Sequence, residues 1–339
     1  MKIDGTLMAS PTEVGTMAAD LEKAGFDGGY IFEGPGDPFI STSVAALGTT
    51  KIELMTAVAI AFARNPMNLA YLGNDLQNLS RGRFTLGLGT QIKAHIERRF
   101  NMPWSKPAAR MRELVLATRA IWECWQTGGK LDFKGEFYSH TLMPPLFMPP
   151  ANEYGPPKIF LAAVGPLMTE VAAEVGDGYF VHPFCTDKSL NELSLAAIDR
   201  GLEKAGKRRS DFSISAQVIT ATGLTEENLD KAKFMAKSQI AFYASTPAYR
   251  PVLECHGWGE LQVEANRLTR EGKWAQMAEL IDDQILETIA VVGSPEEVAT
   301  KIAGRYRGKV ERICPMVYEH DMTLLEELQR QIRSALDTA

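Results

Sequence analysis

Short apolar, β-branched runs alternate with segments of helical periodicity from the first residues of the chain onward. Lys2–Met8 reads as a strand. Ser10-Pro11-Thr12-Glu13 then opens a helix, with Ser or Thr as its cap and an acid in the first turn. In that helix Val14, Met17, Ala18 and Leu21 recur at helical spacing, and Gly25 closes it. Gly29–Phe32 follows as a buried strand and Pro38–Gly48 as a helix. Ile52–Ile60 is a third strand, Pro66–Ser80 a helix and Arg83–Leu88 a fourth strand. Tandem βα units of about 30 residues imply parallel strands joined by right-handed crossovers.

The pattern loosens after Gly89. A helix spans Pro107–Trp125, and the irregular, proline-rich stretch 128–157 has the length of a loop that covers a site. Order returns with strand Lys158–Ala162, helix Pro166–Val175, strand Gly178–Val181, helix Leu190–Ala205 and strand Phe212–Thr220. Helical residues 225–284 come next, then helix Pro295–Arg305, strand Val310–Val317 and helix Thr323–Leu336. Eight strands in a chain of 339 residues predict a (β/α)8 barrel, one domain over 1–339, with 225–284 as a helical insertion after strand seven. A doubly wound sheet is the alternative, but it would carry Gly-x-Gly-x-x-Gly after its first strand, where Asp4-Gly5-Thr6 stands.

Composition narrows the class. The 36 basic residues against 42 acidic ones give a net charge of -6, which argues against a nucleic-acid binder. The longest apolar stretch, Leu54 to Ala63, is half a membrane span, and the N-terminus lacks a signal-peptide core. Cys124, Cys185, Cys255 and Cys314 lie far apart and read as reduced thiols of a cytoplasmic protein.

In a barrel the chemistry sits at the C-terminal strand ends. Strand two ends in Phe32-Glu33-Gly34, and a rim carboxylate at Glu33 needs a partner or a catalytic role; Asp37 reads as a helix cap. Strand three ends near Thr56-Ala57-Val58. Arg64, in the loop beyond, pairs with Glu33 or Asp37, or grips an anion. Strand four ends in Gly87-Leu88-Gly89-Thr90-Gln91, where two glycines let a ligand approach the backbone. The charge run Lys93–Arg99 is either a solvated helix face or brings Lys93, His95 or Arg98 to the site. Strand five leads through Ala163-Val164-Gly165 into Pro166-Leu167-Met168, a strand–glycine–proline entry that leaves backbone N–H groups free for a phosphate. His182, before Pro183, is either a cofactor or substrate contact or a hydrogen-bonded structural histidine. Gly-x-Ser-x-Gly, His-Glu-x-x-His and P-loop motifs are absent, and His95, His140, His182, His256 and His320 show no metal spacing. These absences favour an enzyme whose cofactor supplies the reactivity.

The chain resembles the luciferase-like monooxygenase superfamily, and within it the branch using the deazaflavin coenzyme F420. The resemblance rests on Ala24-Gly25-Phe26-Asp27, Arg64-Asn65-Pro66-Met67 and Leu79-Ser80-Arg81-Gly82-Arg83-Phe84. It continues through Leu86-Gly87-Leu88-Gly89, Gly165-Pro166, Gly176-Asp177-Gly178 and Val292-Gly293-Ser294-Pro295-Glu296-Glu297-Val298. It implies a ring at the barrel mouth against Thr56, Ala57 and Val58, with a non-prolyl cis peptide at Ala57–Val58. It places the phosphate at Gly165–Met168, Thr90 and Gln91 beside the ring, and His182 on its far side. The insertion would shape the substrate pocket and an oligomer contact. Related sugar-phosphate dehydrogenases carry a histidine where Gly34 stands and a glutamate where Thr90 stands, so their acid/base chemistry is not expected here; Glu33 and His95 are the candidate substitutes. The leading expectation is hydride transfer between coenzyme F420 and a small organic substrate. The alternatives are an FMN-dependent monooxygenase served by a partner reductase, and a non-catalytic flavin-binding protein.

Overall fold

The computed structural model describes residues 1–319 and 321–338. His320, one of the histidines considered above, and Ala339, the last residue of the expected domain, lie outside the described residues. Eight parallel strands close on themselves: β1 (Lys2–Thr6), β2 (Gly28–Ile31), β3 (Glu53–Thr56), β4 (Phe84–Gly89), β5 (Lys158–Ala163), β6 (Gly178–Val181), β7 (Ser213–Ala221) and β8 (Arg312–Met316). Each pairs with the next, and β8 returns to β1 through Lys2↔Arg312 and Ile3↔Ile313. The expected (β/α)8 barrel is therefore the fold.

The surrounding helices start where local chemistry starts them. α1 (Val14–Lys23) begins later than its sequence suggests, because the Ser10 hydroxyl is spent on the Thr12 and Glu13 side chains, and residues 10–13 form a turn. α2 (Pro38–Gly48) and α3 (Pro66–Leu79) each begin with proline. They are capped by Asp37 on the Phe39 N–H at 2.9 Å and by Asn65 on the Asn68 N–H at 3.0 Å. α4 (Pro107–Thr127), α5 (Pro166–Val175) and α6 (Ala196–Ala205) follow β4, β5 and β6. α6 is preceded by a wide π-helical turn over Leu190–Leu195 (6 residues), so the helix expected from Leu190 is α-helical only over its last 10 residues.

After β7, α7 (Glu226–Ala244) leads a group of shorter helices at Arg250–Glu254, Gly259–Arg270, Trp274–Glu279 and Asp283–Ile289. They bury a core of their own around Ile240, Leu253, Leu268 and Leu286. A short strand, Val291–Val292, then pairs with the end of β7, and α8 (Pro295–Tyr306) and α9 (Met322–Asp337) complete the ring. Its two residues are too few to show a period. The stretch 128–157 also holds a small hairpin, Phe133–Lys134 against Ser139–His140.

The strand read as Ile52–Ile60 is interrupted. Met55 pairs with Thr85, but the next ladder pairs are Ala59 with Leu88 and Ile60 with Gly89. Four steps on one strand match three on the other, so one extra residue is bulged out around Ala57–Val58, where the peptide is cis.

Candidate functional site

Along each strand every second side chain points into the barrel. Tyr30, Met55, Phe160, Phe180 and Cys314 fill the lumen, with Phe180 edge-on to Tyr30 at 5.4 Å and tilted against Phe160 at 5.3 Å. Continuing the alternation toward the C-terminal mouth brings in Phe32, Ala162, His182, Gln217 and Met316, none of which carries a formal charge at neutral pH. This uncharged ring of side chains is the floor of the mouth.

The bulge completes the floor. The Thr56 hydroxyl donates to the Gly87 carbonyl and accepts from the Gly87 N–H, both at 2.8 Å, bridging the ladder where the bulge breaks it. Gln217 reaches across the barrel and donates through Nε2 to the Ala57 carbonyl at 3.4 Å. The two glycines of β4 serve this geometry. A Cβ on Gly87 would lie 1.7 Å from the Thr56 oxygen, and one on Gly89 would lie 2.7 Å from Val58 Cγ2. Their smallness makes room for the bulge, a structural role beside the ligand approach expected from the sequence.

Glu33 falls on the outward side of β2, opposite in parity to Phe32. Its Oε2 accepts from the Ile60 N–H and from Arg64 Nη1, each at 2.7 Å, while Arg64 Nη2 donates to Asp37 at 2.8 Å. Burial works against the Arg64 charge, but hydrogen bonds and charge from Glu33 and then Asp37 outweigh it and hold its pKa above the usual arginine range. Asp37 is thus both a helix cap and an ion-pair partner. Glu33 acts on the loop behind the bulge, and the structure does not turn its bonded oxygen toward the floor.

At the start of α5 the N-cap Gly165 offers no side-chain bond, and Pro166 has no N–H. Thr169 spends its N–H and its hydroxyl on the Gly165 carbonyl, both at 3.1 Å. The Leu167 and Met168 N–H groups are left at a helix start that carries partial positive charge. A Cβ built on Gly165 meets nothing within 4 Å. Donors with open space before them fit a phosphate. The Ala163 carbonyl, by contrast, is taken by the Tyr179 hydroxyl at 2.9 Å.

His182 is half-buried, and burial drives its pKa down to about 3. Its Nδ1 accepts from the Phe184 N–H at 3.1 Å, so the neutral ring carries its proton on Nε2. Tyr249 and Tyr243 lie against it with centroids at 4.5 and 4.8 Å. On the opposite rim, Thr90 donates to the Gln91 carbonyl at 2.9 Å, and Gln91 takes a positive φ of 58° and is exposed. His95 is exposed on the helix Lys93–Arg98, where Lys93 and Glu97 pair at 3.7 Å, and no hydrogen bond or ring contact joins it to Glu33 or His182 among the described residues. Lys93 and Arg98 are exposed as well, while Arg99 Nη2 donates to the Gly34 carbonyl at 3.3 Å.

Sequence reasoning missed Phe32, Gln217 and the tyrosines around His182. Phe32 was within reach, because it stands two residues after Tyr30 on the same alternation. Gln217 was visible as a polar residue inside an apolar strand.

The closed barrel and its mouth define a luciferase-like (β/α)8 architecture. The chain belongs to the luciferase-like monooxygenase family, whose model matches residues 2–312. It is 48% identical over 316 residues to "Uncharacterized protein Rv1360" of Mycobacterium tuberculosis, covering 93% of each chain. It is 30% identical over 289 residues to 5,10-methylenetetrahydromethanopterin reductase of Archaeoglobus fulgidus, covering 83% of this chain and 82% of that one. In three dimensions it resembles the coenzyme F420 dependent tetrahydromethanopterin reductase of Methanopyrus kandleri, with a TM-score of 0.81, 20% identity and 98% of both chains covered.

Proposed function

We propose that the protein is an oxidoreductase that uses the deazaflavin coenzyme F420 to transfer a hydride to or from a small organic substrate. The observation that carries this reading is the uncharged floor of the mouth beside an uncapped α5 start. Phe32, Ala162, His182, Gln217 and Met316 supply no strong acid, base or nucleophile, so a bound group has to supply the reactivity. The Leu167 and Met168 N–H groups would hold its phosphate. Similarity, at 27% identity over 310 residues, to "Putative coenzyme F420-dependent oxidoreductase Rv3520c" of Mycobacterium tuberculosis supports the choice of deazaflavin over FMN.

When bound in its reduced form, coenzyme F420 supplies a hydride, one hydrogen with two electrons. The chain's own residues would orient and enclose. The bulged backbone at Ala57–Val58 would back the ring, His182 Nε2–H would donate a hydrogen bond, and Phe32 would help exclude water.

Titrating the protein with coenzyme F420 and with FMN while following oxygen consumption tests the reading. Binding of F420 without oxygen uptake is expected. Binding of FMN with uptake, in the presence of a flavin reductase, would replace the proposal with the monooxygenase alternative. Tight binding without turnover on a broad substrate panel would leave a flavin-binding protein.

A further inference from the structure

The wall above His182 is built by residues far apart in the chain. Tyr318 stands two positions past Met316, on the inward alternation of β8, and its hydroxyl donates to Gln239 Oε1 on α7. Gln239 Nε2 in turn donates to the Tyr243 hydroxyl at 3.1 Å. The chain of donors therefore has a direction. Tyr318 occupies the amide oxygen, the amide nitrogen faces Tyr243, and the Tyr243 oxygen is used as an acceptor. Its own O–H finds no acceptor among the described residues. Tyr243 is half-buried and edge-on to His182 at 4.8 Å, with Phe184 6.1 Å away, so the hydroxyl sits beside the floor of the mouth.

The geometry points to Tyr243 as a specificity-determining hydrogen-bond donor, aligned by Gln239 and Tyr318, for the carbonyl oxygen of an uncharged, planar, conjugated substrate. This deepens the proposed function and rests on its premise that the substrate meets the cofactor at this mouth. The class follows from the wall. The half-buried Tyr249, backed by the buried Phe184 ring, gives the wall a flat aromatic lining that suits a planar molecule, and the donors offered, Tyr243 O–H and His182 Nε2–H, are neutral. Burial raises the Tyr243 pKa, which keeps the group a donor. In a conjugated carbonyl compound, hydride from the reduced deazaflavin adds to the far carbon of the C=C bond. The displaced π pair moves to the oxygen, where Tyr243 O–H meets it, and a proton from water completes the reduction.

The test uses the protein without cofactor, so that its failure is separable from failure of the F420 titration. Chromone, a planar neutral ketone, and naphthalene, a hydrocarbon of similar shape, are titrated by calorimetry against wild type, Tyr243→Phe and Tyr318→Phe. The chromone carbonyl stretch is followed by infrared difference spectroscopy. Wild type is expected to bind chromone with a lowered carbonyl frequency. Tyr243→Phe should weaken chromone binding about 3- to 10-fold, restore the frequency toward its free value, and leave naphthalene binding unchanged. Tyr318→Phe should give an intermediate frequency. Failure of wild type to bind chromone would overturn the proposal. So would an unshifted carbonyl in wild type, an equal loss of chromone and naphthalene binding in Tyr243→Phe, or a Tyr243→Phe variant that matches wild type on both ligands.

Discussion

At the scale of single residues, the mouth separates groups that support from groups that face a ligand. Glu33 supports: its Oε2 holds the Ile60 N–H and Arg64, and its side chain is 8% exposed. Glu33→Gln keeps the volume but removes the anion that both donors use. Stability should fall by about 1–3 kcal/mol, because hydrogen bonds to charged groups are the stronger kind. Affinity for coenzyme F420 should stay within about twofold, a difference of under about 0.5 kcal/mol. Urea midpoints and cofactor titration of the same variant check both halves, and a stable variant that lost its cofactor would return Glu33 to the site. His182 makes a pH prediction. Its pKa is about 3 folded against 6.5 for the free side chain. Between those values the unfolded chain binds a proton that the folded one refuses, so stability falls on acidification, by at most about 1.4 kcal/mol per pH unit. His182→Asn keeps an acceptor for the Phe184 N–H through a local turn and removes the titration. The loss of stability from pH 7 to pH 5 should therefore be smaller in His182→Asn than in wild type, and equal losses would show that His182 titrates normally.

At the scale of elements, glycines at strand ends and helix starts do different work. Gly87 is needed because Thr56 turns its carbonyl into the space where a Cβ would stand, 1.7 Å away. Gly87→Ala forces backbone rather than a side-chain tip to move, and should cost about 3 kcal/mol or more, read as a lowered urea midpoint or loss of folded protein. Gly165 is the opposite case, since a side chain there enters open space. Gly165→Asp should keep the melting temperature of wild type while placing an anion before the Leu167 and Met168 N–H groups. Cofactor binding should then weaken by about 1–3 kcal/mol, tenfold to hundredfold. A folded Gly165→Asp protein with wild-type affinity would move the phosphate elsewhere. The helices whose starts are written locally, Asp37-Pro38, Asn65-Pro66 and Gly165-Pro166, were legible in the sequence because cap and proline act within a few residues. The bulge was not. Ile52–Ile60 is apolar throughout, and an unbroken apolar run carries no period to show that a residue has been inserted.

At the scale of the whole molecule, the barrel was legible from its alternation of strands and helices, and the uncapped start of α5 from its Gly165-Pro166 turn. The wall of the mouth was not, because Gln239 and Tyr243, one turn apart on α7, meet Tyr318 only after the fold has brought α7 against the end of β8. The end opposite the mouth shows what holds that closure. Arg312 on β8 donates through Nε to Asp4 on β1 at 2.9 Å, and it also bonds Glu53 on β3, which in turn takes Lys2. Asp4 is fully buried, and Gly28 on β2 leaves the space, since a Cβ there would lie 2.3 Å from Asp4 Oδ1. Burial raises the Asp4 pKa even against the Arg312 charge that opposes it. Arg312→Met removes that charge and leaves the carboxylate inside the seam where the barrel closes. Breaking one side of such a buried pair costs about 3–5 kcal/mol at neutral pH, whereas replacing both partners by apolar residues is often near neutral. Asp4→Leu combined with Arg312→Met should therefore recover much of the stability that Arg312→Met loses, with Glu53 still partly in solvent and served by Lys2. The sign with pH is also fixed. A carboxyl whose folded pKa is raised binds its proton more readily when folded, so its penalty grows as pH rises through that range and fades as pH falls. The defect of Arg312→Met should be smaller at pH 4 than at pH 7 when each is compared with wild type at the same pH. A defect independent of pH, or a double variant as unstable as Arg312→Met, would mean that the seam is held by packing rather than by this pair.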